Sequence, residues 1–334
     1  MKRSGIFLAS LLALGSLLSG CRHTNFSFPE NSPSVSRTLF QLEAGLTGDS
    51  KLYLDKIAAT VGGHLAFYDK TGKLLQDYPE IFANWIYAVP DYGIIVAANA
   101  NNEIRIIQLS DDLSVVKDSL IRSSQSLMID PTLLHTDDGW YLTFTEIEGT
   151  VNNADPHAQN GFYSIHCFKS SDLLNWTQLP DIVSGQNNLE DGDMLERDNI
   201  LYYFFEREVY DKGPSSLHVI SSTDNGNSWG NEKELISANA DNELAAVFPQ
   251  KEGWQLYYSS DKQNPGESYD GASCYLAQFN TAFTNKTDEI LMDLGEDSGI
   301  LLYDISIQEN QILFLYVKNY ITENRLTLKE LSST

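Results

Sequence analysis

From residue 38 to its end the chain alternates short apolar runs with polar turns, and helical periodicity is almost absent. Two stretches are the clearest, DPTLLHTDDGWYLTFTEIE at 130–148 and EDGDMLERDNILYYFFERE at 190–208. Each reads as a strand, a polar turn and a second strand of aromatic and bulky residues. A constant offset of 60 lays Asp130 on Glu190, Asp138 on Asp198, Tyr141 on Leu201, Phe144 on Phe204 and Glu146 on Glu206. Both copies continue through a loop into a third strand and an Asp-bearing turn, FYSIHCFKSSDLLNW at 162–176 and SLHVISSTDNGNSW at 216–229.

Weaker copies cover 84–113, 243–283 and 301–331, and a shorter one covers 56–75. Four short strands per unit, repeated five or six times about every 40–60 residues, describe an all-β β-propeller. A β-sandwich, the competing all-β arrangement, would not produce units in register. The segment LFQLEAG at 39–45 is then free to complete the last unit and close the ring.

Ahead of the repeats stands MKRSGIFLASLLALGSLLSGC. Lys2 and Arg3 precede an apolar stretch from Ile6 to Leu18 that is too short for a stable membrane span, the order of a secretory signal. Its LSGC ending resembles a bacterial lipobox, which implies a lipid on Cys21. Arg22 in place of Asp after it resembles outer-membrane sorting. The polar, proline-bearing segment that follows reads as a tether. The expected division is a lipoprotein signal peptide at 1–20, the lipidated cysteine and tether at 21–37, and a propeller at 38–334. The expected location is the bacterial cell envelope.

A net charge of −24 repels nucleic acid and anionic lipid headgroups, leaving the lipid on Cys21 as the membrane contact. A monomer is expected. Cys167 and Cys274 fall in strand segments far apart and read as buried free thiols. No CxxC, HExxH or paired-His spacing appears, so neither a cofactor nor a metal is expected. The acidic run Glu190-Asp191-Gly192-Asp193 could offer hard oxygens to a structural calcium ion, but it lacks the length of a calcium loop and reads as a solvated rim.

In a propeller each inner strand starts at the funnel mouth, where the loops between second and third strands also emerge. Asp130 and Glu190, paired by the repeat, should therefore point into one cavity. Two carboxyls across a sugar-sized pocket suit glycosidic cleavage, one protonating the leaving oxygen and the other activating water, attacking or stabilising charge. The long polar loops 146–161, 206–215 and 260–272 converge above, offering His157, Glu206, Arg207 and Tyr269 to a carbohydrate. Trp85 and Tyr87 could add aromatic platforms.

The segment MIDPTLLHTDDGWYLTFTE resembles the Asp-Pro segment of arabinanase-, xylosidase- and invertase-like propeller glycosidases, and SSDLLNW resembles their blade-closing turn. The resemblance implies five blades, Glu190 as general acid and Asp130 as transition-state stabiliser or tuner of that acid. It also implies a third carboxylate on the preceding inner strand, where this chain has Asn84; Asp55 is the substitute the sequence offers. Ser222, Asp224, Gly226 and Trp229 resemble the Asp-box of sialidases, which implies a turn that holds the fold rather than a site. The sialidase arginine cluster has no match, although Arg105, Arg122, Arg197 and Arg207 are present. The alternative function is a propeller that binds glycan or scaffolds an envelope assembly without cleaving anything.

Overall fold

A computed structural model describes residues 34–42, 47–308 and 311–333. Cys21, the leader and most of the expected tether lie outside the described residues. The strands form six antiparallel sheets arranged as the blades of a propeller, so the five-bladed count implied by the resemblance is corrected to six. Blades I to V span 47–82, 85–123, 127–185, 188–236 and 242–291 in sequence order. Blade VI combines Ile300–Gln308, Gln311–Lys318 and Arg325–Ser333 with the N-terminal strand Ser34–Leu42. Inner strands of consecutive blades adjoin, and that of blade VI adjoins that of blade I, which closes the ring.

The N-terminal strand is the clasp. Phe40 sits opposite Leu328 and Leu42 opposite Leu326, so the described part of the expected segment, 39–42, completes the last blade. The pairing reaches back to Ser34 rather than starting at residue 38.

Apolar wedges between neighbouring blades make the core. Tyr53, Phe67 and Tyr78 of blade I meet Ile86 and Ile95 of blade II. Tyr163 and Ile165 of blade III meet Tyr203 and Phe205 of blade IV. A middle strand is therefore covered on both faces, which is why Ile94–Asn99 and Gly253–Ser260 are buried throughout and read as runs rather than alternations. Outer strands face water, and Val115–Ser123 is mostly exposed. Cys167 and Cys274 are buried free thiols within these layers.

The turn 222–229 is held by its own side chains. Asp224 accepts the Ser228 N–H at 2.8 Å and the Ser222 hydroxyl at 2.8 Å, and Gly226 takes φ +81°. Trp229 packs on the wedge between blades III and IV. Ser222 pairs with Leu201, and Leu201 with Glu196, so this turn closes the end of the blade away from Glu190.

Candidate functional site

Five inner strands bulge near their start. The register shifts fall between Thr47 and Ser50, Ile129 and Thr132, Glu190 and Asp193, Leu244 and Ala246, and Leu302 and Asp304. Blade II pairs without interruption from Trp85 to Val89. A bulge sets two residues against one and re-aims the side chains it carries. In blade III the pair is Asp130-Pro131, opposite Phe144; in blade IV it is Asp191-Gly192, opposite Phe205.

The structural partner of Asp130 is therefore Asp191, and the pairing of Asp130 with Glu190 is corrected by one residue. The hairpin ends agree, since Thr136 faces Gly139 in one blade and Arg197 faces Ile200 in the other. Adjacent Asp137 and Asp138 let the sequence repeat slide one place. Asp130 at φ 47° and Asp191 at φ 51° share the left-handed backbone that aspartate tolerates better than most residues. Gly192 is required for room, because a Cβ there would stand 1.7 Å from the Tyr203 hydroxyl.

The bulges surround a cavity of about 490 Å³ at the funnel mouth. Asp49, Asp130, Glu190, Asp191, Asp193, Glu243 and Asp304 bring seven carboxyl groups to its wall, against one ammonium, Lys51. Trp85, Tyr87, Tyr269, Tyr303 and Tyr320 supply aromatic surface.

Four of these carboxyls tie one blade to the next. Ile86 N–H donates to Asp49 Oδ2 at 2.8 Å and Leu52 N–H to Asp304 Oδ2 at 2.7 Å. Asp191 N–H donates to Asp130 Oδ2, and Val247 N–H to Asp193 Oδ2, both at 3.2 Å. Each bond satisfies an inner-strand donor that a bulge or a blade gap would leave open. Among the described residues, no backbone donor reaches the carboxyls of Glu190, Asp191 or Glu243.

Burial and crowding hold protons on this wall. Burial, then Asp191 and Asp211, push Glu190 up to about 8. Burial raises Asp191 to about 6, Asp193 to about 7 and Asp304 to about 6. Asp130 is pushed well above the carboxylate range by burial, with Asp191 and Glu190 adding to it. Lys51 stays cationic: burial alone would lower it, but Asp49, Asp304 and Asp191 together raise it.

Of the sequence candidates, the structure brings Asp130, Glu190, Trp85 and Tyr269 into this cavity. Asp55 is not there. It stands exposed at the far end of the first hairpin of blade I, bonded to Lys56. Blade I contributes Asp49 instead. Arg207 points to the opposite sheet face from Glu206, stacks on Phe205 and pairs with Glu232 at 3.0 Å. His157 is exposed on its loop and does not line the cavity. Glu206 is buried behind Glu190 rather than facing substrate space. Asn84 accepts the Ala100 N–H at 2.9 Å and supplies no acid.

The expected loops do form the rim, joined blade to blade. Asp211 N–H donates to Asn152 O, Lys212 lies over the Tyr269 ring, and Tyr269 meets Tyr320 edge-on at 5.3 Å. Asp270 accepts the Ile321 N–H and the Thr322 hydroxyl, at 2.9 and 2.7 Å. The sequence reading missed Asp49, Glu243 and Asp304, and took Asp191 and Asp193 for a solvated rim. A signal existed for Asp49 and Asp304, since GDS and YDI, like the IDP of Asp130, set an aspartate early in a unit's first apolar run.

No family model matches the chain, and no curated protein matches it in sequence. Solved structures do match in fold. The α-L-arabinofuranosidase of Lactobacillus brevis superposes with a TM-score of 0.51 at 15% identity, over 74% of this chain and 89% of that one. The Penicillium chrysogenum α-L-arabinanase, solved with arabinobiose, gives 0.47 at 9% identity over 90% of this chain and 98% of that one. A GH93 α-L-arabinofuranosidase of Fusarium graminearum, also with arabinobiose, gives 0.49 at 10% over 72% and 89%. At 15% identity the Lactobacillus brevis likeness shows a shared fold and nothing further.

Proposed function

We propose that this chain is a glycoside hydrolase acting on a neutral poly- or oligosaccharide at the bacterial cell envelope. One observation carries the reading: acids from several blades and an aromatic wall converge in a single sugar-sized cavity at the funnel mouth. Glu190 is the proton donor in this reading. It is buried, faces the cavity without a backbone bond, and is surrounded by other acids that oppose its ionisation. Asp191 and Asp130 stand beside it to counter positive charge developing at the anomeric carbon. Asp49, fixed by two backbone donors and near Lys51, takes the third role for which the sequence offered Asp55. Trp85, Tyr269 and Tyr320 would stack against sugar faces.

The test compares wild type with Glu190→Gln on neutral glycans and on aryl glycosides with activated leaving groups. Loss of the donor should cost about 10²–10⁴-fold on the glycans and much less on the activated substrates. Equal losses on both, or no hydrolysis by wild type across a broad panel, would overturn the reading. A second reading, glycan binding without cleavage, is favoured by the commitment of Asp49, Asp130, Asp193 and Asp304 to inter-blade bonds. It expects saturable glycan binding by a wild type that turns nothing over.

A further inference from the structure

Behind the cavity wall, blades IV and V enclose a second set of acids. Glu206 and Glu208 come from the second strand of blade IV, Ile200–Glu208. Asp241 precedes, and Glu243 lies within, the inner strand of blade V, Asn242–Gln250. One oxygen from each of the four lies within 4.8 Å of the others. Their exposures are 1, 2, 5 and 9%. Both oxygens of Glu206, and one each of Glu208, Asp241 and Glu243, have no hydrogen-bond partner.

A second observation comes from a neutral side chain. Asn188 sits directly across from Glu208 in the strand pairing, so both side chains leave the same sheet face. It is fully buried, and neither its amide oxygen nor its amide nitrogen makes a well-formed hydrogen bond, although the amide lies close enough to Glu190 to favour that group's anion. A buried amide with nothing to bond costs about 1–3 kcal/mol, and unpaired buried carboxylates cost more. Among the described residues the one cation acting on them is Lys212, which favours the charged forms of Asp241 and Glu243 from a distance while its ammonium is bonded to Asp211.

We infer that this pocket between blades IV and V is a calcium site, with Glu206, Glu208, Asp241 and Glu243 as carboxylate ligands and the Asn188 amide oxygen as a neutral one. The donors are all hard oxygens, with no thiolate or imidazole among them, which selects against zinc and copper. The four carboxylate oxygens, all within 4.8 Å of one another, are close enough to share one ion, and calcium accepts about six to eight oxygens in flexible geometry. Magnesium sheds its water reluctantly and is seldom held by a wholly protein-made set of oxygens such as this one. The acidic run at 190–193 is not this site: Asp193 is spent on Val247 and Tyr87. The ion would clamp blade IV to blade V beneath the loop rim.

The inference stands apart from the glycosidase reading, because its readouts need no substrate. The full chain, stripped with a chelator, is titrated with calcium chloride and with magnesium chloride by calorimetry and thermal melting. We expect one calcium per chain, a melting temperature raised by several degrees, and at least tenfold weaker binding of magnesium. Glu206→Gln/Glu208→Gln keeps the side-chain shapes and removes two ligand charges. It should melt no lower than metal-free wild type and bind calcium at least 100-fold more weakly. Should that variant fail to fold, Asn188→Ala should still weaken calcium at least tenfold. A wild type that neither binds calcium nor shifts its melt, equal responses to the two ions, or variants with wild-type calcium affinity would each overturn the inference.

Discussion

Asp193 tests whether the funnel acids hold the blades together as neutral groups or as anions. Its Oδ2 accepts the Val247 N–H at 3.2 Å and its Oδ1 the Tyr87 hydroxyl at 3.3 Å, so it ties blade IV to both V and II. Burial raises it from 3.8 to about 7. A carboxyl raised in the fold binds more protons folded than unfolded. Its contribution to stability is therefore fully present below about pH 3.8 and is lost as the pH climbs through 7. A gap of about 3 pH units is worth about 4 kcal/mol. Asp193 faces funnel water rather than a dry core, so we expect ~1–2 kcal/mol to be realised. Asp193→Asn keeps an acceptor for Val247 and cannot ionise, while Lys51 and Asp304, the charges that also act on this position, are shared by both proteins. Urea unfolding at pH 5 and pH 8 should show the variant gaining on wild type as pH rises, by ~1–2 kcal/mol at pH 8. A difference of constant size at both pH values would refute the reasoning and make the effect one of acceptor strength alone.

Two further predictions concern segments distant from the cavity. Trp229→Ala should destabilise the fold by about 3 kcal/mol, the low end for an aromatic truncation because the ring is only half-buried, and Asp224→Ala should lower the melting temperature by freeing its turn. Both should leave glycan binding and turnover per folded molecule unchanged; a loss of either at an unchanged melting temperature contradicts the structural role. Cys21→Ser should move the protein from the membrane fraction to the soluble fraction, and equal partition of variant and wild type removes the lipid anchor from the proposal.

The repeat was legible because each blade needs the same thing, a strand pair buried on both faces beside an exposed outer strand. Strong apolar runs such as GIIVAAN and GWQLYYSS mark the middle strands without ambiguity. The ring closure at Phe40 was legible too, since a last unit lacking one strand leaves only the N-terminal segment to supply it. The bulges were not. A bulge adds one residue without changing composition, and the doublet Asp137-Asp138 supports either of two registers equally well. Glu243 stayed hidden for a related reason: the repeat was aligned on blades III and IV, and only the bulge register shows which residues of blade V face the funnel. Asp55 failed as a candidate because an acid in a strand-connecting turn looks, in sequence, much like one six places earlier at the other end of the strand.

The division among the funnel acids carries the functional argument. Asp49, Asp130, Asp193 and Asp304 have structural work that would hold them in place with no ligand at all, since each satisfies a backbone donor of the adjoining blade. Glu190, Asp191 and Glu243 have no backbone donor among the described residues to repay their burial. Placing such groups on one wall costs stability through desolvation and mutual repulsion, and burial heads the causes that push all three upward. Asp191 adds a left-handed backbone, shared with Asp130, which aspartate adopts at less cost than most residues with a Cβ. A propeller needs none of these three to close its ring, because blade II does without a bulge or an acid at its inner strand and still packs on both neighbours. Costs that do nothing for the scaffold collect where a protein binds or transforms something else. By that reasoning the proposed chemistry centres on the wall of blades IV and V, around Glu190, with Asp49 reaching it from blade I while its two backbone bonds keep that wall in register.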